Sequence, residues 1–338
     1  TLEINPTNRC NLFCKSCWQR EFDINYDELP TKRFVEVIKE AADLGVKEIR
    51  IPGAGEPFTK KDLIEILKEI KKYKISGMII TNGVLLNKEV LKTLIKIKWD
   101  CVTISIDGTD SKTHDFLRGV SGTFEKVKKN LSELNKLKKE KKSKFPFIRF
   151  NTVITNKNYN KFSEIIEFAY SVGCQDCQFQ PMTVWGKEGK KLELNRFQRF
   201  ILQKKLSGSI ALAKKYNINT NLESLLNSQI VEKASGEMNQ LFEESKKSNN
   251  KFLNLPCYEP WYNMIILPNG FVAPCSIAGN IFTENLKEKS LKEIWLGLEF
   301  SKIRQRLLAG DLPDYCKKCC SVVHIESMRI KNELEKRI

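Results

Sequence analysis

Histidine is nearly absent from this chain: of 338 residues, only His114 and His324 carry an imidazole. Neither sits in a sequence setting that supplies a nucleophile and an acidic partner, so a Ser–His–Asp hydrolase has no support. No apolar run approaches the roughly 20 residues that cross a bilayer, and a membrane partner is not expected. No secretory signal pattern is visible, although the chain opens at Thr1, inside what reads as a strand, and a preceding segment is left open. Internal repeats are lacking. So is any basic stripe interleaved with aromatics, or any known nucleic-acid-binding module. The formal charge of +16, from 57 Lys and Arg against 41 Asp and Glu, therefore reads as solvated helix faces. Lysines alternate with glutamates along 60–74 and 126–144, and the densest block, 136–144, reads as a helix end with its loop. A nucleic-acid partner, with RNA modification as its enzymatic form, is disfavoured.

What the chain does have is clustered cysteine. Eleven cysteines are too few for a disulfide scaffold at this length, and their grouping suits metal ligation in a reducing compartment, the cytoplasm. Cys10, Cys14 and Cys17 lie in Thr-Asn-Arg-Cys-Asn-Leu-Phe-Cys-Lys-Ser-Cys, directly after a short apolar run. Ferredoxin-type clusters take four thiolates. A cubane held by three leaves one iron open, and open positions mark catalytic metals. A zinc knuckle or three free thiols are the alternatives. A second group comprises Cys257, Gly270, Cys275 and Cys316-x-x-Cys319, four thiols that suit either a fully ligated cluster or a structural zinc. Cys320 is left over, and Cys101 is assigned no role. Cys174 and Cys177 form a lone CxxC, one of whose thiols is expected to point into the core.

The first half alternates strand and helix patterns. Strands are expected at 2–5, 48–51, 77–80, 101–106, 147–153 and 177–180. Helices are expected at 32–44, 61–73, 88–97, 124–141 and 159–172. Thr31 and Asn87 are candidate N-caps, and Gly45 and Gly173 candidate helix stops. Such alternation gives a parallel sheet with right-handed crossovers. Six units are too few for a closed eight-stranded barrel, so the fold class is α/β, a partial (β/α)6 TIM-like barrel. Nearly every strand ends in polar or glycine-rich residues, and in such barrels chemistry gathers at those ends. The expected domains are a core over 1–182 and a helical bridge over 183–255. A small α+β module with a hairpin turning at 268–270 and a helix over 291–308 follows at 256–325, and a final helix at 326–338.

The CxxxCxxC motif after a first strand resembles the radical S-adenosylmethionine (SAM) superfamily, whose open iron is chelated by SAM. The resemblance covers residue 2 to about residue 320. It implies a SAM-binding [4Fe–4S] cluster on Cys10, Cys14 and Cys17. It implies that Gly53, Gly55 and Glu56 meet the SAM amino group, and that Ser105 and Arg118 hold the SAM carboxylate. Asn151 falls to the ribose hydroxyls, and residues 180–182 to the adenine. Chemically, glycine lets the backbone approach a ligand and guanidinium clamps carboxylate. Ser16 stands where many members carry an aromatic, leaving Phe13 or Trp18 to pack near the adenine. The later cysteines are similar to a SPASM/twitch extension, with one auxiliary [4Fe–4S] cluster on Cys257, Cys275, Cys316 and Cys319. The implied activity is that of a radical SAM oxidoreductase. SAM is cleaved to a 5′-deoxyadenosyl radical that abstracts a substrate hydrogen, and the auxiliary cluster takes the second electron. A small molecule is the first expected substrate, and a ribosomally made peptide the second. A reductant such as ferredoxin or flavodoxin is the expected partner. Catalytic side chains are not identifiable. The rival of another class is a non-catalytic Fe–S electron carrier.

Overall fold

Six parallel strands stand side by side in chain order in the computed structural model: β1 (Leu2–Ile4), β2 (Glu48–Ile51), β3 (Ser76–Thr81), β4 (Cys101–Ser105), β5 (Phe147–Ile154) and β6 (Asp176–Pro181). The structure describes residues 1–227, 250, 252–275, 278, 284–318 and 321–337, without the side chains of 317, 318 and 321–326. Helices α1 (Thr31–Asp43), α2 (Leu63–Lys72), α3 (Lys88–Lys96), α4 (Ser111–Arg118), α5 (Thr123–Glu140) and α6 (Phe162–Ser171) lie in the crossovers. Helix α2 shows why the layers form: Leu63, Ile66, Leu67 and Ile70 recur at helical spacing and are buried. Strand β5 alternates buried and half-exposed residues, so Ile148, Phe150, Thr152 and Ile154 face the core while Arg149, Asn151 and Val153 share the opposite face.

The sheet extends past the six expected strands on both sides. Helices α7 (Gly186–Lys190) and α8 (Arg196–Lys215) follow β6, and β7 (Asn219–Thr220), followed by α9 (Leu222–Asn227), adds to its outer edge. After α10 (Glu259–Tyr262), the hairpin strands β8 (Met264–Ile266) and β9 (Val272–Ala273) join the other edge, β8 parallel to β1. The sheet is open, with β7 at one end and β9 at the other. The C-terminal hairpin is thus a continuation of the barrel sheet rather than a free-standing ribbon.

Three local expectations change. Thr31 is the first helical residue rather than the cap; Pro30 precedes it and the turn has no side-chain cap. The helix over 291–308 is broken at Gly297 into α11 (Leu291–Leu296) and α12 (Leu298–Leu308), because Gly297 is extended there (ψ 177°). Asn87 caps α3 as read, its Oδ1 accepting from Val90 N at 3.0 Å. Gly45 and Gly173 end their helices with φ of 77° and 72°. The last helix, α13 (Ser321–Glu335), starts earlier than expected. A main core fills the space between sheet and helices. A second, smaller one gathers Leu255, Tyr258, Ala273, Ala278, Ile303 and Leu307, with Cys275 and Tyr315 packed against it.

Candidate functional site

The segment between β1 and α1 is held by backbone contacts on two sides. On one, Gly55 N donates to Thr7 O (3.0 Å) and Glu56 N to Arg9 O (2.8 Å). A Cβ on Gly55 would lie 2.2 Å from Arg9 O, so glycine is what allows the turn after β2 to lie flat on the approach to Cys10. On the other, Phe13 N donates to Arg118 O (3.2 Å) and Lys15 N to Leu117 O (2.9 Å). These carbonyls are at the end of α4, where intrahelical donors run out. Gly119, at φ 73°, turns the chain away there, and a Cβ on it would meet Phe13 O at 2.1 Å. The cysteine loop therefore caps a helix at one end and is pinned to a turn at the other.

Cys10 is exposed, and Cys14 and Cys17 are half-buried. Burial, with neighbouring thiols adding to it, pushes the Cys10 thiol up to about 11; Cys17 is raised for the same reasons. Burial and neighbouring thiols likewise push Cys257 and Cys316 up to about 12. Cys319 and Cys320 lie outside the described residues. Among the described residues, no three His, Cys, Asp or Glu side chains form a ready cage for a single metal ion. Cys174 and Cys177 are both buried, at the start of β6, where Cys174 Sγ donates to Ile148 O and Asp176 O. Both thiols, not one, belong to the core.

Glu56 is buried and multiply bonded. Its carboxylate accepts from Thr81 Oγ1 (2.6 Å), Asn82 N (2.7 Å) and Phe58 N (3.3 Å), tying the β2 turn to the end of β3. Burial raises its pKa, and these donors oppose the rise. Gly53, at φ 78°, makes that turn possible. Arg118 Nη2 is paired with Asp107 at 2.8 Å, and Nη1 lies 3.8 Å from Cys14 Sγ. Ser105 and Asn151 are register partners on β4 and β5. Two buried atoms among these residues have no partner in the structure, Arg118 Nε and Asn151 Oδ1. A buried donor and a buried acceptor left open are what a polar ligand would satisfy, so the residues present fit SAM.

Three contacts escaped the sequence reading. Asn82 Nδ2 donates to Asn11 Oδ1 at 2.8 Å, linking β3 to the cysteine loop. Asp107 carries Arg118 and also accepts from Val153 N (2.9 Å). The contact of Gly119 with Phe13 is the third. The polar strand ends placed Asn82 and Asp107 on the rim, but not these partners, which lie elsewhere in the sequence. His114 is fully buried, its Nδ1 accepting from Asp107 N at 3.3 Å. Burial, with the Arg118 charge beside it, pushes it down to about 3, so it is neutral and structural.

At the rim, the 3-10 turn Trp18–Glu21 on the cysteine loop meets the segment after β6. Phe22 sits between Trp18 (6.1 Å) and Trp185 (5.8 Å). These rings bridge the loops of the first and sixth strands.

Comparison with known families is decisive at this point: residues 4–169 match the radical SAM superfamily, and residues 257–320 match the SPASM iron–sulfur cluster-binding domain. The chain belongs to the radical SAM superfamily. Radical SAM proteins bind SAM and a [4Fe–4S] cluster, and SPASM segments bind auxiliary Fe–S clusters. The AdoMet-dependent heme synthase of Methanosarcina barkeri is 32% identical over 168 residues, which are 49% of this chain and 46% of that protein. The PqqA peptide cyclase of Methylocella silvestris is 28% identical over 181 residues, 53% of this chain and 46% of that one. The matches thus span about half the length of the curated relatives. In fold, this radical SAM chain is similar to Streptococcus suis SuiB bound to S-adenosylmethionine (TM-score 0.66, 23% identity, 90% of this chain and 67% of that one). It is equally similar to SuiB bound to its precursor peptide SuiA (TM-score 0.67, 23% identity, 90% and 66%). Among the described residues no helix is long and apolar enough to cross a membrane.

Proposed function

We propose that this radical SAM enzyme abstracts a hydrogen atom from a ribosomally made peptide in a net oxidation. The observation that carries the oxidative reading is the second thiol set. Cys257, Cys275 and Cys316 fall in the segment that matches the iron–sulfur cluster-binding domain, and Cys275 packs against a small core two residues past a hairpin that extends the barrel sheet. A second redox centre fixed rigidly to the barrel is what an oxidation needs, because the substrate radical must lose one further electron. The peptide substrate is supported by the similarity to PqqA peptide cyclase and by the fold shared with SuiB, which is seen bound to a precursor peptide. The small molecule, the first expectation from sequence, is the second reading.

In this reading Cys10, Cys14 and Cys17 hold the SAM-binding cluster. Cys257, Cys275, Cys316 and Cys319 hold one auxiliary cluster. When bound, the first cluster and SAM together supply a 5′-deoxyadenosyl radical. The chain's own residues do the rest. The turn at Gly53 and Gly55 brings backbone to the SAM ammonium, beside the Glu56 carboxylate. Arg118 offers Nε and Ser105 its hydroxyl to the SAM carboxylate. Asn151 Oδ1 accepts from the ribose. The first electron comes from a ferredoxin- or flavodoxin-type reductant.

The test begins with the anaerobically reconstituted chain, SAM and dithionite. Formation of 5′-deoxyadenosine and methionine is expected. Added precursor peptides, translated from short reading frames beside the gene, should then lose two hydrogens by mass spectrometry. A lack of deoxyadenosine would return the chain to the class of electron carriers. Deoxyadenosine with oxidation of a small polyol, and no peptide change, would overturn the peptide substrate.

A further inference from the structure

An exposed apolar and cationic patch lies directly over the cysteine loop. Phe13, which precedes Cys14, is 68% exposed, and Phe116 on α4 is 47% exposed. The loop carrying Phe13 is bonded through its backbone to the end of α4, and Lys15 of that loop reaches across to the Phe116 ring. Cations surround the rings. Lys15 Nζ and Lys157 Nζ lie 5.9 Å and 5.7 Å from the Phe116 ring centre. Lys112 is exposed one helical turn before Phe116, on the same face. Arg20 is exposed, and its Nη1 donates to Phe13 O at 3.1 Å. Glu188 faces Lys15 and Arg20 and is paired with Lys191, and Asp115, beside Phe116, accepts from Gly122 N and Phe124 N. Lone exposed phenylalanines are ordinary, but exposed rings on one helix and its adjoining loop, with lysines over one of them, are the composition of a docking surface.

We propose that this patch receives an acidic one-electron carrier protein, the reductant of the SAM-binding cluster. The inference rests on the radical SAM reading above, since only a redox centre at Cys10, Cys14 and Cys17 gives a donor a reason to dock there. Charge complementarity selects the partner: the patch is cationic, the chain carries +16 overall, and an acidic carrier is attracted at long range and oriented on contact. Exposed aromatic side chains supply the apolar contact at the centre of such an interface. Position sets the role. The patch is built on the residue next to Cys14 and on the helix whose Arg118 lies 3.8 Å from Cys14 Sγ. The exchange is one electron out of the carrier and one into the cluster, with no bond made or broken.

The experiment uses the reconstituted full chain and a reduced acidic flavodoxin as the probe. The variants are Phe116→Ser and the double charge reversal Lys112→Glu with Lys157→Glu, none of them placed in the SAM or cluster site. Binding of oxidised flavodoxin is measured by titration calorimetry without SAM, and deoxyadenosine formation is measured separately with flavodoxin and with dithionite. The double reversal is expected to weaken flavodoxin binding on the order of tenfold at low salt and to flatten its salt dependence. It should slow the flavodoxin-driven reaction alike while leaving the dithionite-driven one unchanged. Flavodoxin binding and rates equal to those of the unaltered chain would overturn the docking surface. Loss of the dithionite-driven reaction in the unaltered chain would instead overturn the radical SAM reading. Phe116→Ser separates contact from charge: it should weaken binding while keeping the salt dependence.

Discussion

Single residues hold the cysteine loop in place, and their replacement tests how tightly. Gly55→Ala puts a methyl group 2.2 Å from Arg9 O, against backbone that cannot swing aside. The expected outcome is a loss of about half the iron on reconstitution, as one of two clusters fails to form, with circular dichroism close to unaltered. Arg118 and Asp107 are a pair 12% and 9% exposed. Removing one partner strands the other charge, so Arg118→Ala should cost about 3 kcal/mol in urea unfolding, and Asp107→Asn in the same background should restore part of it. His114 gives a pH signature. Its folded value of about 3 lies below the usual 6.5, so the folded chain prefers the neutral form. That contribution is fully present above pH 6.5 and is lost as pH falls toward 3. It amounts to about 2 kcal/mol between pH 7 and pH 5, and His114→Gln should flatten that part of the urea-midpoint profile.

Elements were legible wherever period and caps agreed. Strand β2 falls on the expected residues, and α3 begins after Asn87 as its cap requires. Asn87→Ala should therefore destabilise by about 1 kcal/mol in thermal or urea unfolding. Helix α4 was read only as a segment carrying Arg118, because its polar composition hides the apolar face that Leu117 and His114 bury. The split of α11 from α12 was also missed. Gly297 has no Cβ, and one there would lie 2.7 Å from Glu293 O, a crowding that sequence alone does not display. Trp99 is a further case: fully buried, it lies against Gly77 of β3, where a Cβ would come within 2.3 Å of the ring. Gly77→Ala overpacks that contact and should cost roughly 1–3 kcal/mol by the same measurement.

At the scale of the whole molecule, the hairpin β8–β9, two residues before Cys275, joins the barrel sheet through β1. Replacing Cys257 and Cys275 together by Ala should lower reconstituted iron from about eight to about four per chain, while dithionite-driven deoxyadenosine formation persists. Retention of one zinc per unaltered chain would make that site structural. The sequence by itself determined the alternation of strands and helices, the polar rim and the two sets of cysteines, because hydrophobic period, caps and ligand spacing are properties of neighbours along the chain. Only the tertiary structure decided that Gly55 and Gly119 clamp the cysteine loop and that Glu56 ties two strand ends together. It also decided that Arg118 faces both Asp107 and Cys14, and that a C-terminal hairpin completes the sheet beside β1. Each of these joins residues tens to hundreds of positions apart, and their contacts are set by the register and twist of the sheet, which no local pattern encodes.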